Sequence, residues 1–174
     1  MITIRQAKLP DAALIADLSR STFFDTFSPF NTEENMKLFM DTQFTRGQLM
    51  AELLLPLNHF FIAYVDNEVA GYVRLRENNN PPELAGEETL EVARLYAVKE
   101  QIGKGVGEAL MQLSIDLAMQ LNKQTLWLGV WTENARAIKF YHRWGFVKFA
   151  DHVFMLGNDA QQDWLMKRPV IAFP

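Results

Sequence analysis

A chain of 174 residues, 49% of them hydrophobic, is long enough to bury one core and short for two, so residues 1–174 read as a single domain. The formal charge of −4 argues against a nucleic-acid partner, whose backbone is held by a basic face, and suits a cationic small substrate. The chain has no cysteine, which excludes a disulfide framework and a thiolate metal site; with no apolar leader after Met1 and no bilayer-length apolar run, the expectation is a cytoplasmic protein with no membrane partner.

Ile2 and Ile4 alternate with polar neighbours and predict a short strand; Pro10 and Asp11 then supply helix-start chemistry ahead of Leu14, Ile15 and Leu18. Asn31 with Glu34 three residues on predicts a capped helix through Met36, Leu38, Phe39 and Met40, and a shorter helix is expected from Gln48 to Leu55, ending before Pro56. Phe60 to Val65 and Val69 to Leu75 are rich in β-branched and aromatic residues, and Asp66-Asn67 between them is turn chemistry, which predicts a hairpin. From Glu77 to Glu88 the run Asn78-Asn79-Asn80-Pro81-Pro82 predicts a mobile loop. Thr89 to Val98 reads as the next strand. Gly103, Gly105 and Gly107 separate it from a helix with the apolar stripe Val106, Leu110, Leu113, Leu117 and Leu121. Leu126 to Val130 predicts a strand, Ala135 to Trp144 a helix stopped by Gly145, and Phe146 to Phe149 with Trp164 to Lys167 the closing strands. The fold class is α/β (α+β), a mixed sheet flanked by helices.

The segment Gln101-Ile102-Gly103-Lys104-Gly105-Val106-Gly107-Glu108 lets the backbone approach a ligand, while the helix that follows points unpaired N–H groups and its positive dipole end at it. A tight turn with close helix packing would use the same glycines. Among phosphate sites, a P-loop needs Ser or Thr after Gly-Lys, and Lys104 is followed by Gly105. A dinucleotide fold wants the loop in the first βα unit, whereas about a hundred residues precede it here. The pyrophosphate of coenzyme A remains.

The run Leu95-Tyr96-Ala97-Val98-Lys99-Glu100-Gln101-Ile102-Gly103-Lys104-Gly105-Val106-Gly107 resembles the acetyl-CoA-binding segment of GNAT acetyltransferases, with Ile102 where the family usually has Arg or Gln. Asn134-Ala135-Arg136-Ala137-Ile138-Lys139-Phe140-Tyr141-His142-Arg143-Trp144-Gly145-Phe146 is similar to the family's Asn-x-x-Ala-x-x-Phe-Tyr-x-x-x-Gly-Phe segment. The likeness spans about residues 60–168. It implies a GNAT-like, mixed but mostly antiparallel sheet of six to seven strands flanked by about four to five helices. It implies acetyl-CoA as cosubstrate, held by Leu95, Tyr96, Ala97, Val98, Ile102, Gly103, Lys104, Gly105, Val106, Gly107, Glu108, Asn134 and Lys139, and no metal. Taken alone, Asn134 could be only a helix cap and Tyr141 only a core residue. Glu91 to Tyr96 and the ending from Phe154 to Met166 look like a bacterial branch that includes polyamine acetyltransferases. Homodimers are common in the family, and Val170-Ile171-Ala172-Phe173-Pro174 offers apolar surface for one.

Acetyl transfer from a thioester to an amine needs a base, a polarised carbonyl and a proton for the departing thiolate. Glu91 is the expected base, unless it is a salt-bridged strand residue paired with Arg94. The resemblance implies carbonyl polarisation by the amide of Ala97 or Val98, proton donation to the thiolate by Tyr141, and direct transfer without an acyl-enzyme. Lys104, Lys139 and Arg143 are candidates for the 3′-phosphate, and Trp127, Trp131 and Trp144 for the cofactor wall or the core. His59, His142 and His152 lack metal-ligand spacing. Asp17, Asp25, Glu33 and Glu34 in the N-terminal helices suggest a small cationic amine, for which a polyamine is the named case. The rival readings are a non-catalytic acetyl-CoA sensor and an acetyltransferase acting on a protein or amino-acid amine.

Overall fold

The computed structural model describes residues 1–171. In chain order the elements are β1 (Ile2–Gln6), α1 (Ala12–Phe27), α2 (Glu33–Gln43), α3 (Arg46–Leu54), β2 (Asn58–Val65), β3 (Glu68–Glu77), β4 (Thr89–Ala97), α4 (Val106–Gln120), β5 (Thr125–Trp131), α5 (Ala135–Arg143), β6 (Val147–Leu156) and β7 (Asp159–Pro169). The seven strands form one sheet in the order β1-β2-β3-β4-β5-β7-β6. Every neighbouring pair is antiparallel except β4 with β5. The architecture is thus the mixed, mostly antiparallel sheet that was expected.

The β2–β3 turn bears out its sequence, since Asp66 and Asn67 take φ of 49° and 70°, the left-handed pair that a two-residue hairpin needs and that Asp and Asn tolerate. Other details depart from expectation. The cap of α2 is Thr32, whose side chain accepts from the Asn35 amide at 3.2 Å, while the Asn31 side chain donates back to the Phe27 carbonyl at 2.9 Å and closes the preceding turn. The loop expected to be mobile is tied by its asparagines. Asn80 donates to the carbonyls of Leu84 and Glu87, both at 2.8 Å, and the Asn78 side-chain Oδ1 accepts from the Thr89 amide and from Lys123. The closing strands are much longer than the two short runs predicted, because polar residues on β6 face solvent on an edge strand and give no apolar signal.

Two cores lie on opposite faces. Under α4 and α5, Val106, Leu110, Met111, Ile115 and Ala118 pack on Val73, Leu75, Leu90, Val92 and Leu126. The buried face of α4 is therefore rotated from the predicted stripe, with Leu113, Leu117 and Leu121 at its flank. Helices α1 to α3 bury Ile15, Phe23, Met36, Phe44 and Leu49 against Phe60, Ile62 and Tyr72.

A bulge between β3 and β4 decides which side chains of β4 reach which core. Arg74 is opposite Arg94 but Leu75 is opposite Val92, so Ala93 is the extra residue. Without it, the alternation that sends Leu90 and Val92 under α4 would send Arg94 and Tyr96 there as well. With it, Arg94 and Tyr96 face α1 to α3. The strands approach tightly here: a Cβ on Gly71 would sit 2.4 Å from the Tyr96 carbonyl oxygen and 3.2 Å from the Ala97 Cα. Both are backbone atoms that cannot yield without opening the β3–β4 ladder. Gly71→Ala is expected to cost about 1–3 kcal/mol, read as a lower urea midpoint with an unchanged m-value.

Candidate active site

Parallel pairing of β4 with β5 is short: Thr89 with Thr125, Leu90 with Leu126, and Glu91 with Trp127. Beyond Glu91 the strands part, and a cleft opens through the sheet. On the α4 and α5 side it holds a cavity of about 300 Å³, walled by the end of β4, the glycine loop, the end of β5 and α5.

The cleft exposes backbone donors. The Val98 amide donates to the Ala70 carbonyl at 2.9 Å, so it belongs to the β3 ladder and does not serve the cleft. Alternate residues of a strand point their N–H groups to opposite edges, so the amides of Leu95 and Ala97 face the gap. In the loop, the Ile102 and Lys104 amides close turns onto the carbonyls of Lys99 and Gln101. Among the described residues, the amides of Gly103, Gly105, Val106, Gly107 and Glu108 have no backbone acceptor, and the first intrahelical bond of α4 runs from Ala109 to the Gly105 carbonyl at 3.0 Å. Gly103 and Gly105 hold φ of 77° and 90°, which only glycine adopts cheaply. The result is a row of donors at a helix N-terminus, the arrangement that binds phosphate. The Gln101 side-chain oxygen, buried beside it, has no partner within the protein.

Of the expected cofactor residues, Leu95, Tyr96, Ala97, Ile102, Gly103, Gly107, Glu108 and Asn134 line this cavity. Gly105, Val98, Lys104, Val106 and Lys139 are not part of its lining: Val106 is wholly buried in the core and the two lysines are exposed. Of the cations on α5, Arg136 and Arg143 line the wall instead. Arg136 was missed; its signal is the helical spacing Arg136, Phe140, Arg143, one face of α5.

Asn134 caps α5 by accepting from the Ala137 amide at 3.2 Å. Two turns further along the same helix, Tyr141 is fixed by edge contacts with Phe140 and Phe146, at ring separations of 5.5 and 5.9 Å, and lines the same cavity. Burial pushes its phenol up to about 12, so the group keeps its proton throughout the neutral range.

Glu91 is placed elsewhere. Its carboxylate accepts from Arg76 at 2.7 and 2.9 Å and from Asn79 at 2.9 Å, and it lines neither this cavity nor the next. A carboxylate held by a bidentate arginine is already occupied, which corrects its expected role as base. Arg94, its expected partner, instead forks onto Glu52 of α3 at 2.7 and 2.9 Å, and Arg74 reaches the same carboxylate at 3.0 Å. Burial alone would raise the Glu52 carboxyl, yet the bond and charge of Arg94 and the charge of Arg74 hold it below its ordinary range. Burial pushes the Arg74 guanidinium down to about 10.

On the α1 and α2 side of the cleft lies a second cavity of about 370 Å³. Phe23, Phe39, Phe44 and Phe154 give it an aromatic wall, and Arg74, Arg76 and Asp163 bring charge. The two cavities share Phe27, Ala93, Arg94, Tyr96, Gly129 and Trp131, so they meet through the gap. Trp131 is braced by Phe27 and Phe30, at 5.5 and 5.2 Å, while Trp127 and Trp144 pack away from the wall. Asp17, Asp25, Glu33 and Glu34 are all exposed and line neither cavity.

His59 pairs with Glu77 at 2.8 Å and His142 meets the Phe146 carbonyl at 3.1 Å. Among the described residues there is no cluster of three or more His, Asp or Glu able to hold a metal, and no helix long and apolar enough to cross a membrane. Most of the C-terminal run considered for a dimer, Ala172 to Pro174, lies outside the described residues.

Residues 17–146 match the model of the acetyltransferase (GNAT) family. Across 171 aligned residues the chain is 34% identical to an uncharacterised N-acetyltransferase of Lactobacillus delbrueckii subsp. lactis, covering 98% of this chain and 97% of the relative. It is 27% identical to an N-alpha-acetyltransferase of Sulfurisphaera tokodaii, covering 96% and 92% of the two chains. Its fold is similar to the crystal structure of PaiA N-acetyltransferase from Thermoplasma acidophilum in complex with coenzyme A, with a TM-score of 0.79, 19% identity, and coverage of 97% and 99%. The chain belongs to the GNAT family of acetyltransferases.

Proposed function

We propose that this acetyltransferase moves an acetyl group from acetyl-CoA to a primary amine by direct attack, with the cofactor in the first cavity and the acceptor in the second. The observation that carries the reading is the set of amides of Gly103, Gly105, Val106, Gly107 and Glu108 without a backbone acceptor, beside a parted strand pair. Two linked phosphates fit donors of this kind, and the coenzyme A bound to the Thermoplasma protein supports the same ligand. Arg136 and Arg143 would meet the nucleotide's remaining phosphate. The inward amides of Leu95 and Ala97 would polarise the thioester carbonyl, as fixed donors in a water-poor site do at little reorganisation cost. Tyr141 would give its proton to the sulfur as the carbon–sulfur bond breaks.

For the acceptor, charge in the second cavity weighs against a polyamine, because two buried arginines share one Glu52 carboxylate and an extended polycation would add to that excess. An amine carrying an apolar or aromatic group suits the phenylalanine wall better. The Sulfurisphaera relative, named an N-alpha-acetyltransferase, favours an amino-acid or chain-terminal amine as the second reading.

Acetyl-CoA is expected to stabilise the folded protein by about 2.7 kcal/mol at a hundred times its dissociation constant. A thermal melt with and without acetyl-CoA measures this, and no shift at millimolar cofactor would refute cofactor binding. Release of free thiol with a panel of amines then separates the acceptor classes.

A further inference from the structure

The expected base, Glu91, is engaged by Arg76, which leaves the acceptor's ammonium without a proton acceptor unless another carboxylate reaches the gap. Asp163 on β7 does. It is opposite Trp131 of β5 and His152 of β6. A Cβ on Gly129 would come 3.6 Å from Asp163 Oδ2, so the carboxylate leans along β5 over a residue with no side chain. Gly129 walls both cavities, which puts this carboxylate where they meet. Asp163 Oδ1 is buried without any hydrogen-bond partner in the protein, an expensive state for a carboxylate oxygen.

We propose that Asp163 receives the acceptor's ammonium group and takes the proton that frees its nitrogen for attack. This assignment rests on the acetyltransferase reading and deepens it. The surroundings fit the task. Burial pushes the Asp163 carboxyl up to about 6, with only His152 pulling it down. Of the other titratable groups around the cavity, Tyr96 senses the Asp163 charge; Arg94 and Arg74 are turned onto Glu52, and Arg76 onto Glu91. In water an aliphatic ammonium near 10.4 and an aspartate near 3.9 are about 6.5 pH units apart. Burial lowers the first and raises the second, so a dry gap narrows the difference that proton transfer must cross.

The step balances within the site. Asp163 takes one proton from the ammonium, and the freed amine forms its bond to the acetyl carbon. The carbon–sulfur bond breaks, and sulfur takes the Tyr141 proton. Tyr141 regains a proton from the nitrogen of the adduct, and Asp163 releases its own to solvent.

The test uses the full-length protein with acetyl-CoA and spermidine, phenethylamine, L-phenylalanine and an alanine-initiated tetrapeptide as amines. For amines that turn over, kcat/KM of the wild type is expected to rise with unit slope up to about pH 6, because only the ionised carboxylate can accept a proton. Asp163→Asn is expected to lose about 10²–10⁴-fold and that limb, with the acetyl-CoA Kd by calorimetry within twofold, while Asp163→Glu regains part of the rate and a shifted limb. A variant that binds cofactor normally but keeps its rate and its acid limb overturns the assignment alone. Loss of cofactor binding in Asp163→Asn also overturns it, since the residue would then act through the fold. If the wild type itself shows no saturable heat with acetyl-CoA, or no amine turns over, the underlying acetyltransferase reading fails first.

Discussion

Replacing Tyr141 by phenylalanine is expected to lower kcat by about 10²–10⁴-fold, the usual contribution of a positioned acid, while the dissociation constant for coenzyme A stays within about twofold. The ring contacts with Phe140 and Phe146 involve carbon atoms that phenylalanine keeps, so packing of the wall is preserved and only the hydroxyl is lost. Since burial holds the phenol near 12, no loss of activity from its ionisation is expected below about pH 11. Steady-state thiol release and a calorimetric titration on the same preparation make the check. Equal falls in kcat and in cofactor affinity would assign Tyr141 to binding instead of proton transfer.

The largest effect on stability is expected at Glu52. Its carboxylate joins Arg94 and Arg74 with its side chain only 5% exposed, and removing one member of a buried ion cluster strands the others. Glu52→Ala is expected to cost about 3–5 kcal/mol at pH 7, a large share of the roughly 5–15 kcal/mol that holds a domain together. The pH dependence follows in sign. The folded carboxyl is held below its ordinary value, so the native state binds fewer protons than the unfolded chain in that range, and the contribution is present above about pH 4.3 and is lost as pH falls through the folded pKa. Urea denaturation at pH 7 and pH 3 should show the gap between wild type and variant narrowing in acid. Because Arg94 also walls both cavities, the variant is expected to bind acceptor poorly even where it remains folded.

The parts of the site written into contiguous sequence were readable in advance. Glycines between a strand and an amphipathic helix dictate free amides, and Asn134 with Tyr141 two turns along the helix it caps fixes the opposite wall, because both depend on local backbone geometry and on helical spacing. The base was not readable in that way. Glu91 precedes a one-residue bulge at Ala93, and nothing in Thr89-Leu90-Glu91-Val92-Ala93-Arg94-Leu95 marks where pairing slips, although the slip decides the face that every later side chain takes. Asp163 depends on still more distant partners. Its neighbours Gln161 and Leu165 on the same strand face are buried, and that is the one local sign that an acidic residue between them points inward. That it leans over a glycine of β5 follows from the β5–β7 register, in which Asp163 is opposite Trp131 and Gly129 is opposite Leu165, and a reading of each strand by itself does not contain that register.

The polar tie at Lys123 lies at the far end of the two parted strands. Lys123 is 7% exposed and binds Glu77 at 2.9 Å and Glu88 at 3.2 Å, while Thr125 bonds to Glu87 at 2.6 Å. Like the rivet of a pair of tongs, this knot fastens the two arms beside the short stretch where they still pair, at the end away from the jaws.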